Sequence, residues 1–140
     1  MTALAADRKT PHRNKGSISV PVAADQKIYL GALVCIDSTD GYGYPAADDA
    51  NHVFAGVAMQ SVDSTGYSDG DLSVEVDQEL VHEFVAAGLA ITDWGAALYV
   101  SDDQTVAKST TNSVLVGKLA FYKSATEAPV KLMPGNGPIS

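Results

Sequence analysis

The sequence predicts an all-β domain, a compact antiparallel barrel or sandwich with an extended N-terminal arm and at most one short helix. Three observations predict it. Apolar residues recur with a period of two, as in "LSVEVDQELVHEF". Clusters of Gly, Pro, Asp and Ser separate the apolar runs at short intervals. No segment sustains an apolar period of 3.6 residues. At 140 residues, 46% of them apolar, the chain has the size and composition of one folded domain.

The elements follow in chain order. Residues 1–16 form the arm, with weak strand and helix patterning and with Pro11 against regular structure. The β domain spans 17–133. Its first strand, 17–22, puts Ile18, Val20 and Val22 on one face. Pro21 cannot donate to a ladder, which assigns this strand to an edge or an end. A longer run at 28–37 stops at "STDGYGYP", where Asp40-Gly41, Gly43 and Pro45 carry turn chemistry. Strand 53–62 ends at "STGYSDGD". Strand 72–85 has an apolar even face from Leu72 to Phe84 and a mostly acidic odd face, with a bend expected near Asp77–Glu79. Strands 97–101 and 104–108 flank "SDDQ" as a hairpin, and 113–122 pairs with 128–133 across "ATEA". The helix candidate is one turn at "TDWGAA", with Thr92 as N-cap. The expected core contains Ile28, Leu30, Val34, Val57, Val74, Val76, Leu98, Val116, Leu119 and Val130. The tail, 134–140, holds two prolines and two glycines and should be irregular.

Charge is distributed unevenly. Residues 1–15 carry four basic groups and one acidic group, net +3; residues 16–140 carry five basic and sixteen acidic groups, net −11. An acidic body repels nucleic acid and anionic membranes, and the arm has no aromatic residue to stack on bases. Neither nucleic acid nor membrane is therefore an expected partner. Arg8, Lys9, His12, Arg13 and Lys15 are the candidate partner-binding residues, placed to meet an acidic surface on a sister subunit or another protein; a solvated, frayed terminus explains the same letters. "MTALAADRKT" has no apolar core of signal-peptide length, so a cytoplasmic start is expected.

Motifs for chemistry are sparse. His12, His52 and His82 lie thirty or more residues apart, without Cys or carboxylate at a zinc-ligand spacing. "DSTDGYGYPAADDAN" lacks the calcium-loop spacing, and turn-capping aspartates account for it. There is no G-x-S-x-G elbow and no phosphate-binding glycine loop. A triad assembled in space from the serines, histidines and aspartates stays open. His82, on the apolar face of its strand, reads as a satisfied core or interface histidine. Cys35, the single cysteine, reads as a buried, inert thiol. No enzyme activity, cofactor or metal is expected.

The order of motifs carries a resemblance. "GALVCIDSTDGYGYPA", then "FAGVAMQSVDSTGYSDGDLSVEV", then "WGAALYVSDDQTVAKSTTNSVLVGKL" resembles the small head decoration (cement) proteins of tailed bacteriophages, over about Gly31 to Met133. The "LAADR" start and basic arm are similar too. The resemblance implies a structural virion protein that binds the outside of the head and bridges subunits of the major capsid protein, made in the host cytoplasm, with an arm reaching across the shell. It implies a homo-oligomer, a trimer on three-fold positions before a dimer on two-fold ones. It brings no catalytic motif. Two other readings use the same strand signals: a tail- or fibre-associated virion module, and a carbohydrate-binding or small hydrolytic β domain using Tyr42, Tyr44, Tyr67, Trp94 or Tyr99.

Overall fold

The computed structural model of the protein describes residues 2, 3, 5–7, 16–79 and 81–135. The architecture is all-β, as the periodicity predicts. The strands are β1 (Ser17–Pro21), β2 (Lys27–Ile28), β3 (Leu33–Asp37), β4 (Gly43–Pro45), β5 (His52–Ala58), β6 (Val62–Asp63), β7 (Ser73–Asp77), β8 (Val81–Val85), β9 (Ala97–Val100), β10 (Val106–Ala107), β11 (Leu115–Leu119) and β12 (Glu127–Leu132). One five-stranded antiparallel sheet has the order β1-β7-β5-β3-β4, a second β10-β9-β11-β12-β8, and β2 pairs with β6 in a small ribbon. Among the described residues no helix is long and apolar enough to cross a membrane.

Both large sheets curl. Strands spaced about 4.8 Å apart would leave the edges of a flat five-stranded sheet far out of contact. Yet Val22, just past β1, bridges Gly43 in β4, and Val85 in β8 bridges Thr105, just before β10. Among the described residues each sheet thus meets itself at one bridge and does not close into a barrel. Close approach makes glycine necessary at three positions, Gly43, Gly56 and Gly117. A Cβ on Gly43 would lie 2.8 Å from a Val20 methyl inside the first curl, and one on Gly117 would collide with the Lys131 carbonyl.

Two cores result. The larger joins Leu33, Cys35, Phe54 and Val57 of the first sheet to Leu98, Val100, Val116, Val130 and neighbours of the second. The smaller lies on the other face of the first sheet and gathers Val20, Val22, Ile28, Val34, Val74 and Val76. With both faces covered, Leu33, Val34 and Cys35 are all fully buried, which is why "LVC" reads as an unbroken apolar run. Pro21 lies on edge strand β1, as expected.

Several expectations need correction. The run 28–37 is not one strand: a turn closes from Ala32 N–H to the Tyr29 carbonyl, with Gly31 at φ 86°, and it leaves Leu30 66% exposed instead of in the core. The other nine expected core residues are buried. The run 72–85 divides into β7 and β8, which belong to different sheets, so its acidic side is not a single face. The segment 53–62 ends at Ala58, and Val62 enters the ribbon. "GYP", read as turn, is strand β4. The helical turn is a 3₁₀ turn at Ile91–Asp93 whose N-cap is Ala90, not Thr92. There Asp93 supplies the polar group, accepting from the Ala90 N–H at 2.7 Å.

Candidate functional surface

Arg8, Lys9, His12, Arg13 and Lys15 lie outside the described residues. Within them, the surface is best read from its exposed apolar side chains. Tyr29 (62% exposed), Leu30 and Met59 (51%) stand out from the β2–β3 turn and the end of β5. Hydrogen bonds hold these segments side by side: Gly31 N–H donates to the Ala58 carbonyl, and Leu30 N–H donates to Ser61 Oγ. Tyr29 separates two shallow grooves. One, of about 390 Å³, is lined by Tyr29, Leu30, Gly31, Ala32, Asp103 and Gln104. The other, of about 280 Å³, is lined by Lys27, Ile28, Tyr29, Ser61, Val62 and Asp63. The turn is anchored to the second sheet through Leu33 N–H and the Asp103 carbonyl at 2.8 Å. An exposed Leu alone is ordinary; three large apolar groups on neighbouring braced segments are the candidate contact surface.

The loop aspartates do the capping work their sequence context suggests. Asp37 Oδ1 accepts from Thr39 N–H and hydroxyl, Asp40 Oδ1 from Tyr42 N–H, and Asp49 Oδ1 from Asn51 N–H. These side-chain and backbone bonds from Thr39 hold the Asp37 carboxyl below the usual range, with a smaller contribution from His52. The same pattern operates at Asp63, lowered by the hydroxyl and N–H of Thr65 and then by Lys27. Asp48 reaches across to accept from Thr111 and Asn112 N–H, clasping the 46–51 loop to the second sheet.

Two of the aromatic candidates, Tyr44 and Tyr42, are engaged within the fold. The Tyr44 hydroxyl donates to Asp40 Oδ2 at 2.5 Å, and that bond, with burial and the charges of Asp40, Asp37 and Asp69, pushes its pKa up to about 12. The ring of Tyr42 lies against Gly70. Tyr67 and Trp94 are more than half exposed. They come from different loops and carry no argument for a sugar site.

His82 is satisfied, as its place on the strand suggests: its Nε2 lies 2.7 Å from Asp77 Oδ2, across the step from β7 to β8. Cys35 is fully buried, and burial raises its pKa to about 12, leaving a protonated thiol. On the acidic side of the 72–85 run, Glu83 pairs with Lys123 at 2.6 Å, and Lys123 reaches Glu127 at 3.0 Å.

One grouping has no signal in the local sequence. The β3–β5 register sets Asp37 directly opposite His52, and the 46–51 loop brings Asp49 beside them. One donor atom from each of the three lies within 4.8 Å of the others.

No protein-family model matches the chain, and no curated protein or solved structure gives a significant match.

Proposed function

We propose that the protein is a capsid decoration protein of a tailed bacteriophage, which binds the outside of the head and stabilises it by bridging major capsid protein subunits. The role is structural, without catalysis. The observation that carries it is the ordered series of motifs from Gly31 to Met133. The braced apolar ridge at Tyr29, Leu30 and Met59 supports it from the structure, because a decoration protein needs a rigid contact surface on a small domain. The charge split adds a second element. The basic arm reaches out to acidic ground on the shell or on a sister copy, and the acidic body discourages competing contacts with nucleic acid. Self-association completes the reading, with a trimer preferred to a dimer.

Apolar contact and electrostatics make separable predictions. Leu30→Asp places a charge in the contact without disturbing the core. Purified Leu30→Asp protein should fold like wild type and occupy undecorated heads at least tenfold more weakly. Full occupancy by the variant would remove the ridge from the account.

A further inference from the structure

We propose that Asp37, Asp49 and His52 form a binding site for one divalent transition-metal ion of the zinc class. His52 is 95% buried, and its Nδ1 has no hydrogen-bond partner. Its Nε2 faces Asp49 Oδ2 at 4.0 Å, too far for a hydrogen bond. A buried imidazole nitrogen without a hydrogen bond is costly, because its desolvation is not repaid; in His52 that nitrogen is Nδ1. Both carboxylates are held with one oxygen on backbone N–H groups, Asp37 by Thr39 and Asp49 by Asn51, which fixes their orientation. Asp49 Oδ2, the oxygen not used in capping, is the one that faces His52.

Chemistry selects the class of ion. One imidazole nitrogen and two carboxylate oxygens suit zinc and its first-row neighbours, whereas calcium and magnesium prefer all-oxygen shells. Tetrahedral ligands at about 2.0–2.1 Å stand roughly 3.3 Å apart. The present donors, up to 4.8 Å apart, therefore need to close by up to about 1.5 Å, a side-chain adjustment at the partly exposed Asp37 and Asp49 that leaves a position for water. Burial and the stacked ring of Tyr44, 6.0 Å centroid to centroid, hold His52 in place.

The ion's role would be structural. Asp37 ends β3, His52 begins β5, and Asp49 belongs to the loop that Asp48 clasps to the second sheet. An ion there joins all three segments at the rim of the larger core. Binding to the folded chain alone raises its stability by mass action.

The test is equilibrium dialysis of the full chain against zinc, with bound metal counted by elemental analysis and histidine resonances followed by NMR. Asp37→Asn and Asp49→Asn keep an oxygen acceptor for the turn, so both variants should fold; their urea midpoints check that. Wild type is expected to take up one zinc per chain at micromolar free metal, shift the His52 resonances and raise its melting temperature. Each variant should bind at least tenfold more weakly. The proposal is overturned if wild type takes up no zinc at 100 μM, if calcium binds as tightly, or if zinc is held with His52 unmoved or with undiminished affinity in both variants.

Discussion

Asp93 shows how much a single carboxylate organises in this fold. Its Oδ2 accepts from Ala90 N–H and from Lys108 Nζ at 3.1 Å, closing the 3₁₀ turn and tying it to the segment after β10. Those two bonds, the backbone one first, hold its carboxyl below the usual range. A lowered folded-state pKa means that the contribution is complete above the unfolded value of about 3.9 and is lost as pH falls through the folded value. Urea unfolding at pH 6 and pH 3 should show wild type losing more stability on acidification than Asp93→Asn. Equal losses would show that Asp93 makes no pH-linked contribution. Cys35 makes a simpler prediction: with the thiol buried and protonated, a thiol reagent should leave the native chain unlabelled and label it on unfolding. The capping roles of the aspartates were legible because Asp in a turn has few other uses. The Asp37–His52 pairing was not, because it depends on a strand register that sets two residues fifteen positions apart opposite each other.

At the scale of elements, the run 72–85 is the instructive case. Its alternation predicts strands correctly, but periodicity does not report which sheet a strand joins. The chain changes sheet between Asp77, the end of β7, and Val81, the start of β8, and the His82–Asp77 bond spans that step. His82→Ala should cost about 1–2 kcal/mol, the usual scale for one partly buried hydrogen bond left unmade. A midpoint of urea unfolding identical to wild type would show that the bond contributes nothing. Gly117 marks another element-level constraint, where β11 approaches β12 too closely for a side chain and its register against β9 shifts. Gly117→Ala should destabilise by roughly 1–3 kcal/mol through overpacking, read from the same unfolding curves. Gly31 went the other way. Its neighbours are apolar, so the sequence reads as strand, while the chain uses its positive φ to turn and lift Leu30 into solvent.

For the whole molecule, the central claim is that a braced β domain with a basic arm binds a preformed shell. Four basic side chains on the arm should make attachment sensitive to salt, since exposed charges are screened over about 8–10 Å at 0.10–0.15 M. Each exposed pair is worth only about 0–1 kcal/mol, so salt should weaken attachment without abolishing it. Deleting residues 2–15 should lower occupancy on undecorated heads and flatten its salt dependence. Unchanged occupancy would leave the arm without a role. For the proposed role, the most direct measurement is the copy number of this chain on intact phage heads, by quantitative mass spectrometry against the major capsid protein. The account predicts a fixed, saturating ratio on the head, regained when purified protein is added to undecorated heads. Absence from heads, with the chain recovered only from tails or free in the lysate, would contradict it.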